Sequence, residues 1–160
     1  MIRAAIVGDP NKVPQYILNK IPEVQGACQV SMARLVMKLA RKIKEEKLTG
    51  QVLKNRTGTL RRSISPRVAA MGMIIEGTVG TNIEYASIHE FGGKTAAHDI
   101  FPKRGRALAF NWKGKDMVLK HVHHPGSQMP ERSFMRTALN EMTPEILVEF
   151  DKAIMEVIRR

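Results

Sequence analysis

A long amphipathic segment over residues 23–48 constrains the fold more than any other feature of the sequence. Its apolar residues recur at steps of three and four, which is the spacing of one face of an α-helix. They are Val24, Cys28, Met32, Leu35, Val36, Leu39, Ala40 and Ile43. We predict a helix of about seven turns here, stopped by Thr49-Gly50. A helix of that length must pack against a sheet or a second helix along most of its course.

The outer side of this predicted helix is basic and carries Arg34, Lys38, Arg41, Lys42, Lys44 and Lys47. Residues 1–62 hold 13 Lys and Arg against 4 Asp and Glu, whereas the rest of the chain holds 13 against 11. A basic surface attracts polyanions through sequence-independent electrostatics. Arg34, Lys38, Arg41 and Lys42 are therefore candidates to face nucleic acid or an acidic protein. A solvated helix face explains them equally well.

Length and composition limit the class of protein. A chain of 160 residues with 43% hydrophobic content is long enough for one domain with a core and short for two. The single cysteine, Cys28, excludes an internal disulfide, and on the apolar stripe we interpret it as a small buried hydrophobe. No apolar run is long enough to span a bilayer, and the N-terminus has no signal-peptide layout. We expect one domain over residues 1–160 in a soluble, cytoplasmic protein.

The two ends of the chain are predicted to be helical in part. Residues 1–22 form a lead with a short helix that ends at Pro22, because proline breaks a helix interior. Residues 130–160 form a C-terminal helical segment with a pause at Thr143-Pro144, where Thr143 is placed to cap a new start. The apolar stripe of this segment consists of Ile146, Leu147, Phe150, Ile154, Val157 and Ile158.

Residues 57–124 are predicted to be a β-rich core built from two hairpins. In the first, strands over 60–68 and 73–79 pair around Gly72. Pro66 makes the earlier strand an edge strand, because proline lacks the N–H that a central ladder needs.

The second predicted hairpin has clearer alternation. Leu108, Phe110 and Trp112 share one face, residues 113–115 turn, and 118–122 alternate back. A basic loop over 94–106 is inserted before this hairpin, and a loop over 121–128 follows it. The predicted fold is α+β, with a long N-terminal helix, an antiparallel sheet built from two hairpins and a C-terminal helix.

Between the hairpins, residues 81–93 change period from strand to helix. Tyr85, Ile88 and His89 have the spacing of one helical face, with Phe91 close by. We predict that Tyr85, Ile88 and Phe91 are core residues. Gly92 then ends the turn, since glycine readily takes a positive φ.

No pattern in the sequence predicts catalysis, a cofactor or a metal. His121 and His123 would share a strand face, but the sequence offers no cysteine pair and no carboxylate at the spacing of a metal-binding motif. His89 has no neighbouring nucleophile and no acid spaced to orient it, so we predict that it makes a hydrogen bond beside the core. By elimination the chain is an interaction or structural protein.

Four segments, in order, carry a resemblance to a known family. They are TGTLRRSI at 57–64, YASIHEFGG at 85–93, PKRGRALAF at 102–110 and MPERSFMRTAL at 129–139. This set resembles the tail-component and virion-morphogenesis proteins of tailed bacteriophages. The matching motif residues are Gly58, Leu60, Tyr85, Ile88, His89, Phe91, Gly92, Arg132 and Phe134. The last segment departs from the family pattern at Glu131 and Ser133 but keeps its arginine and its aromatic residue.

The resemblance implies a non-enzymatic virion protein that completes the tail or joins it to the head, commonly as a closed ring, with six subunits by family resemblance. It implies partners among neck and tail proteins and a place in the virion after assembly in the host cytoplasm. In that setting the basic helix would face either acidic partner proteins or, without sequence specificity, DNA in the channel. We expect Lys103, Arg104, Arg106, Phe110 and Trp112 to contact neighbouring subunits or the tail tube. The alternative, favoured by the basic N-terminal third, is a small nucleic-acid-binding protein.

Overall fold

The computed structural model describes residues 2–5, 15–54, 56–103 and 105–160. Its elements in chain order are β1 (Ile2–Ala5), α1 (Gln15–Lys42), a π-helical segment (Ile43–Gln51), α2 (Thr59–Ser63), β2 (Ser65–Met71), β3 (Ile74–Gly80), α3 (Tyr85–Phe91), β4 (Gly93–Lys94), β5 (His98–Ile100), β6 (Leu108–Trp112), β7 (Lys115–Leu119), β8 (Val122–His124), β9 (Gln128–Met129) and α4 (Met135–Ile158). The α+β class predicted from the sequence is confirmed.

Helix α1 packs against both α4 and the sheet. The sheet has the order β1-β3-β2 and is antiparallel throughout, with Gly77 of β3 opposite Val68 on one side and Ile2 on the other. Strand β2 lies at an edge, which confirms the edge position predicted from Pro66.

The predicted apolar stripe of α1 is buried along its whole length, and it divides between two clusters. One cluster contains Leu35, Leu39 and Ile43 with Phe134 and Met142 from the far end of the chain. The other contains Val24, Cys28, Met32, Val36, Ile75 and Val157. Burial raises the pKa of the Cys28 thiol, which fits its interpretation as a small buried hydrophobe. The helix was predicted to pack against a sheet or a second helix, and it packs against both.

Gly77 allows α1 to approach the sheet closely. A Cβ at this position would overlap Met32 Sδ and would lie 2.6 Å from Val36 Cγ1. A side chain at residue 77 would therefore require Met32 and Val36 to move.

Both predicted helix interruptions are wrong. Pro22 lies inside α1 and Pro144 lies inside α4. Thr143 does not cap a new helix, because its hydroxyl donates to the carbonyl of Leu139 one turn earlier, at 3.0 Å. An internal proline costs about 3 kcal/mol. Buried residues on both sides of Pro144, and from Val24 onward after Pro22, offset that cost.

Lys47 is buried, although its position on the predicted helix placed it on the outer side. From Ile43 onward the helix is π-helical, and this wider winding shifts the angular position of every residue that follows. Lys47 Nζ donates to Glu141 Oε1 at 2.6 Å and to Gln51 Oε1 at 2.9 Å. The helical segment ends near Gly50, whose φ of 127° is not helical, as predicted.

The first predicted hairpin starts later than expected. Residues 59–63 form the short helix α2, and the strand begins at Ser65. Its partner β3 begins at Ile74, and the turn at Gly72 is as predicted. Among the residues with described structure, no helix is both long and apolar enough to cross a membrane.

Candidate assembly interface

Residues 93–129 form a two-stranded antiparallel arm, and we use that name for them below. Three successive strand pairs build the arm: β4 with β9, β5 with β8, and β6 with β7. Lys94 lies opposite Gln128 at the root, and Trp112 lies opposite Lys115 at the tip. The tip turns at Lys113 and Gly114, both with positive φ, which suits the twist of a tight hairpin.

Two segments predicted to be loops are the two sides of the arm. The predicted loop over 94–106 contains β5, and the predicted loop over 121–128 contains β8. These predictions were wrong because each strand has only three residues, too few for an alternating pattern to be visible in the sequence. The predicted hairpin at the tip, with Leu108, Phe110 and Trp112 on one face, is confirmed.

The arm has no buried residue of its own. From residue 91 to residue 133, every residue with described burial is partly or fully exposed. Phe101, Trp112 and Val118 have 63%, 62% and 69% of their surface exposed. A two-stranded hairpin alone is marginally stable in water, and clustered exposed apolar side chains mark interaction sites.

Four of the five candidate interface residues named from the sequence lie along this arm. Lys103, Arg106 and Trp112 are exposed and Phe110 is half-buried, whereas Arg104 lies outside the described residues. Both carboxylates of the arm have partners within it. Asp99 Oδ1 is 2.9 Å from His123 Nδ1, and Asp116 Oδ1 accepts from Asn111 Nδ2 at 2.9 Å.

Three of the four arm histidines stack on other rings. His98 stacks on His124 with ring centroids 5.2 Å apart, and His121 stacks on Phe101 at 5.8 Å. Within the part of the chain that the structure describes, no group of three His, Cys, Asp or Glu side chains could hold a metal ion.

Glu90 joins the two ends of the arm. It lies at the end of α3, immediately before the arm, and its carboxylate accepts hydrogen bonds from the start of α4, just after the arm. The donors are Ser133 Oγ at 2.7 Å, Phe134 N at 2.8 Å, and Met135 N and Arg136 N at 2.9 Å. Burial raises the pKa of the Glu90 carboxyl, but the four hydrogen bonds together outweigh burial and hold the pKa below its usual value.

The role of Glu90 was missed in the sequence, although a signal exists. A helix start needs partners for its first N–H groups, and Ser133 is followed three residues later by Arg136 where a capping box has Glu or Gln. The start of α4 therefore lacks its own acidic cap, and a carboxylate from another element supplies one. That carboxylate also complements the helix dipole.

Helix α3 presents a different face to the core from the one predicted. Ala86 and Glu90 are buried, whereas Tyr85 and Phe91 are 47% and 67% exposed and Ile88 is half-buried. The prediction of Tyr85 and Phe91 as core residues was wrong because the hydrogen bonds of Glu90 fix the orientation of the helix. Gly92, with a φ of 69°, ends the helix as predicted.

Motif residues from three distant segments line one recess, which we call the basic recess. Gly58 and Leu60, then Tyr85 and His89, then Arg132 border it. The backbone N–H of Arg132 donates to the His89 carbonyl at 2.8 Å, and the rings of Tyr85 and His89 meet edge to face at 6.0 Å. The hydrogen bond predicted for the His89 side chain is absent at Nδ1, which is buried without a partner in the described chain.

Phe134, the last of the motif residues, has a purely structural position. It is fully buried against α1 residues at the start of α4.

The basic face of α1 is partly neutralised by the protein itself. Lys38 pairs with Glu145, and Lys42 pairs with Glu46 at 2.6 Å and with Glu141 at 3.0 Å. The bonds with Lys47 and Lys42 lower the pKa of Glu141. Arg34 and Arg41 are exposed, and neither has an ion pair with a described residue.

Residues 32–159, which include the C-terminal part of α1, the arm and all of α4, match the phage virion morphogenesis family. The chain belongs to that family. This confirms the resemblance read from the four segments, and it gives this virion morphogenesis protein a structural role in building a phage particle. No curated protein and no solved structure matches the chain.

Proposed function

We propose that this virion morphogenesis protein is a structural subunit of the phage neck or tail, where it completes the tail or joins it to the head. It works through contacts between copies of itself and with other neck and tail proteins, without catalysis. The copies form a closed ring, for which family resemblance favours six subunits. Ring closure requires each copy to present two different complementary surfaces.

The arm is the observation that carries this proposal. Its large apolar residues, such as Phe101, Trp112 and Val118, are not buried by any described part of their own chain. The ten paired positions of the arm, at about 3.3 Å for each residue, span roughly 33 Å. That length is close to the diameter of a small domain, so an arm of this kind can reach across a neighbouring subunit.

Removing the arm tests the proposal directly. Residues 95–127 are replaced by Asn-Gly, a two-residue turn that suits antiparallel neighbours, so that Lys94 and Gln128 keep their pairing. We expect a protein with unchanged helical circular dichroism that no longer supports virion assembly when it replaces the natural protein. Normal particle yield with the armless protein would refute the proposed role of the arm.

Matched point variants show whether the arm matters specifically. Trp112→Asn with Val118→Asn removes two exposed apolar side chains from the arm, and Leu147→Asn with Val148→Asn removes two from α4. We expect assembly to fail with the arm pair and to continue with the α4 pair. Equal failure of both pairs would assign assembly to general surface hydrophobicity.

The oligomeric state of the isolated protein tests the ring. Light scattering behind a sizing column, with negative-stain images of any large species, distinguishes rings from monomers. A ring that persists after removal of the arm would place the subunit contacts elsewhere.

A second candidate function is binding to DNA, favoured by the net charge of +11 and by Arg34 and Arg41 on the outer face of α1. Direct phosphate contacts predict affinity that falls steeply with salt. Fluorescence anisotropy of a labelled DNA duplex at two salt concentrations measures this, and Arg34→Gln with Arg41→Gln should reduce both the affinity and the salt slope. An unchanged slope in that variant would exclude this face.

A further inference from the structure

The basic recess contains four cations whose charges have no partner among the described residues. Lys54, Arg56, Arg61 and Arg132 line a cavity of about 490 Å³, and no acidic residue of the described chain lines it with them. None of these four side chains forms an ion pair or a hydrogen bond within the described residues. Like charges in one concave site repel each other and raise the local potential, so the recess favours an anion.

The basic groove between α1 and α4 provides a contrast within the same molecule. There, four carboxylates line the groove together with four basic side chains, and Glu141 and Glu145 of α4 pair with Lys42 and Lys38. Arg34 and Arg41 line the same groove without an ion pair to a described residue, but the opposite charges in its lining are equal in number. Among the described residues, no carboxylate lines the basic recess.

The apolar lining of the recess indicates what kind of anion fits. Leu48 and Leu53 are buried, Leu60 is half-buried, and Tyr85 is exposed. A lining that combines apolar side chains with cations matches a peptide segment that presents carboxylates beside an apolar side chain. Duplex DNA offers phosphates on a convex, hydrated surface and is a poorer match for the apolar part of such a lining.

We propose that the basic recess binds an acidic peptide segment of another virion protein. A second copy of this chain is a poor occupant, because the chain carries a net charge of +11 and its arm holds seven Lys and Arg against two Asp. The proposal deepens the proposed function by giving the chemistry of a partner, and the word "virion" in it rests on that function.

Binding of a labelled peptide of alternating glutamate and leucine to the full chain, followed by fluorescence anisotropy, tests the proposal. Arg61→Gln with Arg132→Gln removes two charges from the recess, and we expect affinity to fall by about tenfold or more, as for the loss of charge-assisted hydrogen bonds. Arg34→Gln with Arg41→Gln removes the same charge from the face of α1 and should change affinity by less than about twofold.

Four outcomes would overturn the proposal. They are no binding of the peptide, equal weakening in the two double variants, and equal binding of a peptide of alternating glutamine and leucine. The fourth is a DNA oligonucleotide that binds more tightly than the acidic peptide and loses its binding in Arg61→Gln with Arg132→Gln. Thermal unfolding of each variant verifies that the protein is folded, and the unpaired arginines should leave the midpoint unchanged. Because peptide binding is measured on the isolated protein, its result is independent of whether the armless protein assembles virions.

Discussion

The arm and the rest of the described chain, which we call the body, are stabilised by different kinds of contact. In the body, contacts join residues far apart in sequence, such as Glu90 with the start of α4 and Lys47 with Glu141. In the arm, the described contacts connect facing strands, and the large apolar side chains are exposed. The difference shows that the body buries a core of large apolar residues by itself, whereas those of the arm are exposed and, under the proposed function, are available to a partner.

The largest expected difference is in the free energy of unfolding when a phenylalanine is truncated to alanine in the body and, separately, in the arm. Phe134→Ala empties a fully buried site and should lower the free energy of unfolding by about 3–5 kcal/mol. Phe101→Ala removes an exposed ring from the arm and should change it by less than about 0.5 kcal/mol. Urea unfolding measures both. A large loss for Phe101→Ala would mean that the arm has an internal core and would remove the contrast.

A smaller effect is expected from the residue that connects the regions. Glu90→Gln keeps the shape of the side chain but removes the charge that accepts four hydrogen bonds. We expect the free energy of unfolding to fall by about 2 kcal/mol, since buried N–H groups lose a charged acceptor.

Glu84→Gln, at the exposed start of the same helix, is the matched control. It should change stability by less than about 0.5 kcal/mol. If the two variants behave alike under urea unfolding, Glu90 is not the link between α3 and α4.

The body was easier to predict from the sequence than the arm, because its apolar pattern repeats over more residues. The stripe from Val24 to Ile43 repeats over many turns, so its period identifies both the helix and its buried face. The outer strands of the arm have two or three residues each, and only their pairing across the arm defines them. That pairing depends on the tip hairpin, which the sequence does predict.

The candidate site shows the same limit for single side chains. Tyr85 and Phe91 looked like core residues from size and spacing, yet the long-range bonds of Glu90 orient α3 and expose both rings. Lys47 looked like a surface residue until the π-helical segment turned it inward. Both errors arise from contacts with α4, about 45 and 94 residues away in sequence, which local patterns do not record.

The smallest expected effect is the pH dependence of the free energy of unfolding, which should come from the body and not from the arm. The folded state holds the pKa of Glu90 below its ordinary value of 4.5, so folding favours the ionised carboxylate. Its contribution is complete above pH 4.5 and is lost as the pH falls through the lower, folded-state pKa.

Urea unfolding from neutral pH down to about pH 3 should therefore show that the free energy of unfolding decreases on the acid side. The decrease should be shallower in Glu90→Gln, which has no carboxyl to protonate there, and unchanged in the armless protein, because the arm carboxylates contact only arm residues. An equally steep decrease in Glu90→Gln would assign the acid sensitivity to other carboxylates, of which Glu141, held by Lys47 and Lys42, is the first to examine.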